Sequence, residues 1–419
     1  MDRENVPSPR ASGTADRAAV QAISDWLVAQ GLKTAGFEEM FAGFCERLAE
    51  TDIRLWRGFV SMRTLHPSVA TIGYVWRPEV GIQGEALLHD DLESDEVLRS
   101  PFRYMIDHDV ARLRIALDRP SDGPDFPVLD EFRRAGATDY YATTIGFRFA
   151  DEASDRSGVI ASWTTDRPGG FTEADIATLD RLLPRLALSL KATLSWQIAG
   201  NVLDTYVGPE AGRRILGGRI RRGQAEVIRA VVLFADLRGF TAASDEIPRD
   251  DLLPTLDAYF ECMVPPIVER GGQVLKFIGD GLLAVFDLSA APRDAVCRSA
   301  LDATIDALGR VETLNADRQR SGLPILPLQL ALHLGDVLYG NVGARDRQDF
   351  TVIGPAVNEA SRIEALCGAL ERNLLISATF VEAATSCRHR LVPVGFHVLR
   401  GVRQPQELFT VGLAEPRPA

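Results

Sequence analysis

Apolar residues in the first half of the chain recur at helical spacing over residues 18–31 and 36–50, which predicts two amphipathic helices. Strand-like runs follow at Gly58–Met62 and Ala70–Trp76. The helical period returns over Val128–Ala135, and Thr143–Phe149 and Gly158–Trp163 predict two more strands. Phe171-Thr172-Glu173-Ala174-Asp175 then opens a long amphipathic helix, with Thr172 as its N-cap. Acidic residues in its first turn complement the positive end of the helix dipole. From Leu188 to Arg222 that helix is expected to run into a connector rich in glycine and arginine (Arg213, Arg214, Gly217, Gly218, Arg219, Arg221).

The second half has a different rhythm. Val227–Asp236 predicts a strand and Asp250–Arg270 a helix. Gln273–Phe277 and Leu282–Phe286 predict a hairpin about Gly279-Asp280-Gly281, a good turn sequence. A helix at about 293–313 and a strand over Leu328–Leu334, through His333, complete the series. Strand, helix, hairpin, helix, strand is the order of a ferredoxin-like α/β (α+β) core. It brings Asp236 and Asp280 to neighbouring strand ends. Further on, Asp349–Ile353 reads as a short strand, Gly354-Pro355 as a stiff turn, and the following residues as a helix with Val357, Ile363 and Leu366 on its apolar side.

These elements carry the candidate chemistry. A carboxylate at the tip of a buried strand is costly unless a cation neutralises it. Asp236 and Asp280 together could share a pair of hard divalent ions, the arrangement that clamps both oxygens of an in-line phosphoryl displacement. Asn358 and Arg362 are four apart and share a helical face, where an amide and a guanidinium can hold a ribose oxygen and a developing phosphate charge. Each residue also has an ordinary reading taken singly. The aspartates are common in turns, Lys276 suits a strand whose long side chain reaches solvent, and Thr351 is a plain β-former. Asn358 could cap a helix, and Arg362 could be a solvated face residue. His333 reads as a satisfied core or edge histidine.

Taken together and in this order, the motifs resemble the catalytic domain of the class III nucleotidyl cyclases, over roughly residues 225–415. The resemblance implies that Asp236, Asp280 and the main-chain carbonyl of Leu237 hold two Mg2+ or Mn2+ ions per active site. Lys276 falls at the base-recognising lysine. Thr351 falls where many members have Asp, as in a bacterial subgroup that includes bicarbonate-responsive cyclases, and its hydroxyl can accept from the adenine amino group. Asn358 would orient the ribose and Arg362 would stabilise charge on the α-phosphate. In Leu399-Arg400-Gly401-Val402-Arg403, Arg403 rather than Arg400 is the residue for the terminal phosphates. The implied reaction is attack of the ATP 3′-hydroxyl on its own α-phosphate, giving 3′,5′-cyclic AMP and pyrophosphate. The resemblance places the metal carboxylates and the Asn/Arg pair on opposite subunits, hence a homodimer. A cationic donor at Lys276 suits the N1 acceptor of adenine, so ATP is favoured. Guanylate cyclase and a non-catalytic nucleotide-binding regulatory module are the alternatives.

Composition sharpens this picture at a few points. The chain of 419 residues has a formal net charge of −12, which argues against nucleic acid as a partner. Five cysteines show no paired spacing, and no stretch has the length of a membrane span, so a cytoplasmic protein is expected. Residues 1–17 read as a disordered tail rather than a signal peptide. Residues 18–190, a helix pair followed by an antiparallel sheet and a closing helix, resemble a GAF-type sensor for an unknown small molecule. All five tryptophans lie in the half that contains it, and several could line a pocket. Residues 191–224 form the expected linker, relaying the sensor state to the catalytic pair.

Overall fold

The computed structural model describes residues 17–33, 36–119, 124–147, 158–402 and 404–412. Nearly all of the anticipated tail, Phe149 at the end of one anticipated strand, and Arg403 lie outside the described residues. The chain divides into two compact units, Met1–Val202 and Leu203–Ala419. Among the described residues, no helix is long and apolar enough to cross a membrane.

The N-terminal unit begins with helices α1 (Arg17–Gly31) and α2 (Phe37–Ala49) and strands β1 (Arg57–Arg63), β2 (Val69–Arg77) and β3 (Gly81–Leu88). It continues through α3 (Asp95–Leu98), α4 (Pro101–Asp107), β4 (Arg112–Ala116), α5 (Pro127–Arg134), β5 (Asp139–Gly146) and β6 (Gly158–Thr165) to α6 (Glu173–Val207). The six strands form one antiparallel sheet in the order β3-β2-β1-β6-β5-β4. One face, with Val60 and Trp163, packs against α1, α2 and α6 through Leu27, Phe41, Phe44 and Leu186. Ile115, Phe132 and Tyr140 form a second core with residues of α4 and α5.

The long helix opens as its sequence predicts. Thr172 Oγ1 accepts from the Asp175 N–H at 3.2 Å, and Asp175 Oδ2 accepts from the Thr172 N–H at 2.8 Å, a reciprocal capping box. Three differences from expectation have physical causes. Strand β5 starts four residues early because Asp139–Ala142 are buried throughout rather than alternating, so no period marks them. Strands β3 and β4 carry little alternation because they are the edges of the sheet. The glycine- and arginine-rich connector is folded: α7 (Pro209–Leu216) starts on a proline and is braced by Arg214 Nε to Glu210 at 2.8 Å. Trp163 and Trp76 are core residues, while Trp196 is exposed, so the tryptophans do not gather about one pocket.

The C-terminal unit starts with β7 (Ala225–Leu237), α8 (Phe240–Glu246), α9 (Arg249–Glu269), β8 (Gln273–Ile278), β9 (Gly281–Asp287) and α10 (Arg293–Arg320). Next come β10 (Leu328–Gly343), β11 (Gln348–Ile353), α11 (Pro355–Glu364), β12 (Leu374–Ser377), α12 (Ala378–Ala383), β13 (Leu391–His397) and β14 (Gln406–Val411). Strands β10, β7, β9 and β8 are antiparallel neighbours in that order, the ferredoxin-like arrangement. Strand β10 runs well past the predicted Leu334, because Gly335, Asp336 and Gly340 break its apolar run without breaking its pairing.

Side-chain alternation along β7 assigns the two faces of this sheet. Val231, Leu233, Ala235 and Leu237 pack with Tyr259 of α9 and Leu301 of α10. Ala230 and Val232 pack toward Ala356 and Ala360 of α11, so Asp236 belongs to the α11 face. Within the first core, the Tyr259 hydroxyl donates to Asn315 Oδ1 at 2.6 Å and accepts from the Leu326 N–H at 3.0 Å. Tyr259→Phe should therefore destabilise this unit by about 1–2 kcal/mol in urea unfolding, with the native fold retained. A change near zero would show that the hydroxyl's partners are satisfied without it.

Candidate active site

Asp236 is the penultimate residue of β7, and Asp280 sits in the turn between β8 and β9. What lets them meet is a bare backbone. A Cβ on Gly281 would lie 2.4 Å from the Ala235 carbonyl oxygen and 3.0 Å from Asp236 Oδ1, so only glycine lets the hairpin close on β7. Gly279, with φ of +63°, supplies the left-handed residue that the tight turn needs.

The electrostatics record how close these acids are. Burial, then the Asp280 charge, pushes the Asp236 carboxyl up to about 6 against a backbone hydrogen bond from Leu237. Glu364, at the end of α11 and 7% exposed, was not anticipated from sequence. Burial and the charges of Asp236 and Asp280 push it up to about 7. Its signal in the sequence is only its place two residues after Arg362. The donor set is hard oxygen, which suits a divalent cation. Among the described residues no three carboxylate, imidazole or thiolate groups converge on one point, so an ion here would be held by the two aspartates and main-chain oxygen.

A second constellation lies on β8 and β11. Lys276 Nζ donates to Asp349 Oδ2 in an ion pair that sequence reasoning missed. Thr351, two residues along β11, is 4% exposed, and its hydroxyl has no partner among the described residues.

The third belongs to α11. Gly354 turns the chain at φ of +142°, and Pro355 takes the first helical position, where its missing N–H costs nothing. Asn358 is exposed and Arg362 half-buried. The Arg362 guanidinium lies 3.7 Å from where a Cβ on Gly401 would stand, and Gly401 has φ of +72°. A side chain there would only touch the guanidinium, and it is the positive φ that favours glycine. Among the described residues, no hydrogen bond or ion pair joins Asn358 or Arg362 to Asp236 or Asp280, and Arg362 is not among the charges that shift Asp236.

A carboxyl whose folded pKa lies above its unfolded value contributes stability at low pH and loses it as pH rises through the folded value. Metal-free protein should therefore lose thermal stability between about pH 4 and pH 7, the window set by Asp236 and Glu364. Asp280→Asn should flatten that loss and remove the stabilisation expected on adding Mn2+ at pH 7.5. Thermal unfolding of both proteins, with chelator or with Mn2+, checks it; equal pH profiles would refute the coupling.

Comparison with known proteins gives a family match in the C-terminal unit. Residues 224–412 match the family model described as the adenylate and guanylate cyclase catalytic domain. An adenylate cyclase of Anabaena cylindrica is 37% identical over 166 residues, covering 39% of this chain and 32% of that protein. The chain thus spans about a third of the length of that relative. The adenylyl cyclase CyaB of P. aeruginosa is 25% identical, covering 47% of this chain and 100% of that structure, with a TM-score of 0.42. The guanylyl cyclase Cya2 is 28% identical, covering 46% and 96%, with a TM-score of 0.40. Catalytic domains of this kind generally use divalent metal ions. Residues 224–412 are an adenylate/guanylate cyclase catalytic domain.

Proposed function

We infer that the chain is an adenylate cyclase that converts ATP to 3′,5′-cyclic AMP and pyrophosphate. The observation that carries this reading is a cationic donor, Lys276, on the same sheet as a buried and unpartnered hydroxyl, Thr351. Adenine offers an acceptor at N1 and a donor amine beside it, which such a pair can satisfy. A guanine reader would want a carboxylate where Lys276 stands. Leaving polar groups unpaired against the wrong base is a strong source of discrimination.

Asp236, Asp280 and the Leu237 carbonyl would hold two Mg2+ or Mn2+ ions. When bound, such ions lower the pKa of the 3′-hydroxyl and neutralise the triphosphate. Asn358 orients the ribose, and Arg362 places its planar fork on the α-phosphate as charge develops there. Arg403 is assigned to the terminal phosphates. Catalysis on this reading is positioning and electrostatics, with no side chain required as general base.

The absence, among the described residues, of a hydrogen bond or ion pair between Arg362 and the aspartates within one chain supports a homodimer with two equivalent interface sites. Phe277, Ile278 and Ile353, which flank Asp280 and Thr351 in sequence, are exposed apolar residues suited to burial by a second copy. The N-terminal unit, a six-stranded antiparallel sheet with helices, is read as a GAF-like sensor for a small molecule whose identity stays open. Residues 191–224 would relay its state, by shifting a pre-existing equilibrium of the catalytic pair. The cytoplasm is the assigned compartment.

The test is turnover of ATP and of GTP, with Mn2+ or Mg2+, beside Asp280→Ala and Arg362→Ala. Each variant should be inactive alone. Mixed after subunit exchange, they should recover about a quarter of wild-type activity, because half of the dimers then hold one intact site. Cyclic GMP as the main product would overturn the base assignment, and no recovery on mixing would overturn the shared site.

A further inference from the structure

In the N-terminal unit, Arg57 begins β1, and the strand register fixes which face it takes. Arg57 pairs with Thr164 of β6, Thr164 with Tyr140 of β5, and Tyr140 with Ile115 of β4. Cross-strand partners share a face, and Tyr140 and Ile115 belong to the core beside α4 and α5. The guanidinium carbon of Arg57 lies 5.2 Å from the centroid of the Phe59 ring and 5.0 Å from that of Phe132. Arg77, at the end of β2, stands over Trp56 at 5.4 Å, and its charge is felt at Arg57. Among the described residues, neither guanidinium has a hydrogen bond or an ion pair, and burial lowers the Arg57 pKa to about 10.

Among the described residues nothing neutralises this cation. Glu85, on edge strand β3, acts on it without forming an ion pair. Tyr140 is a neutral phenol, pushed up to about 12 by burial. The two rings attract a cation only modestly beside what its dehydration costs. Directly across from Arg57, Thr164 is fully buried, and its hydroxyl has no partner among the described residues. A dehydrated cation and an orphaned hydroxyl, side by side on one sheet face, are the two halves of an oxyanion site.

We propose that this face binds a small aromatic monocarboxylate: Arg57 takes the carboxylate with its planar fork, Thr164 donates to one of its oxygens, and the ring lies among Trp56, Phe59 and Phe132. One fork and one hydroxyl satisfy the two oxygens of a carboxylate, whereas a phosphate would leave oxygens unpaired among the rings. Arg57 is half-buried and Arg77 is exposed, so the charged end of the site is open to solvent. Such a ligand is the one that the sensor reading leaves open. Its effect on the cyclase rests on that reading, while the site stands on its own geometry.

The experiment uses the full chain, with dissociation constants from calorimetry and melting temperatures from thermal unfolding. The probes are benzoate, its neutral isostere benzamide, and inorganic phosphate. Benzoate should bind, and benzamide and phosphate should each bind at least about tenfold more weakly. Arg57→Gln should weaken benzoate about tenfold or more, the size expected for losing one charged hydrogen bond, and leave benzamide unchanged. Thr164→Val, which keeps the shape of the buried side chain, should weaken benzoate about threefold or more. Without any anion, Arg57→Gln should melt no lower than wild type, because it removes a cation that has no counter-ion. Arg54→Gln, at an exposed residue paired with Asp166, should leave benzoate binding as it is.

No binding of benzoate, equal binding of benzoate and benzamide, or full binding by Arg57→Gln would overturn the site. A lower melting temperature of anion-free Arg57→Gln, with benzoate binding untouched in Thr164→Val, would leave Arg57 a structural residue. Phosphate bound as tightly as benzoate would overturn the aromatic carboxylate as the occupant. Benzoate that binds through Arg57 and leaves nucleotide turnover unchanged would support the site and count against the sensor reading.

Discussion

The constraint on which the catalytic unit depends is the forced proximity of like charges. Asp236 and Asp280 are brought together at the end of β7, and Glu364 joins them from α11. Asp236 and Glu364 are each harder to ionise than a free carboxyl, so the fold holds a cluster that disfavours its own charged state. It can do so because the sheet is pinned from both sides. One face rests on α9 and α10, the other on α11, and the hairpin closes only because Gly281 has no side chain. The repulsion within such a site is eased by a proton or by a nearby positive charge.

Around that cluster the candidate groups lie on separate pieces of backbone. The acids sit at one end of β7 and in the β8–β9 turn. Lys276, Asp349 and Thr351 occupy the faces of β8 and β11. Asn358 and Arg362 ride on α11, whose start is fixed by Gly354 and Pro355. Apart from Asp280 in its two-residue turn, each group is held by regular structure, which keeps its geometry tighter than a loop would. The turn at Gly401 runs beside the Arg362 guanidinium.

Much of this was legible in the sequence because period and turn chemistry agree there. The strand before Asp236, the hairpin about Asp280 and the turn before Asn358 each carry a local signature, and the structure has all three. Asp349 and Glu364 were not legible. Nothing local marks an exposed strand aspartate as the partner of a lysine 73 positions earlier. Glu364 looks like an ordinary helix-end residue until α11 is laid across the sheet. The same holds in the N-terminal unit, where edge strands β3 and β4 and the fully buried start of β5 lack the alternation that a period search needs. Short α7 was hidden because its glycines and arginines read as a flexible connector, whereas the Glu210–Arg214 pair four residues apart is what stabilises a helix there.

The placement of Lys276 and Thr351 on strands, apart from the helix that carries Arg362, has a consequence for how such a fold diversifies. On the adenylate cyclase reading, the letter of the messenger is chosen by side chains whose removal leaves the metal carboxylates and the guanidinium where they are. Exchange of one second messenger for another then becomes a matter of a few strand positions. It can happen within a lineage without passing through an ancestor that had lost the ability to cyclise.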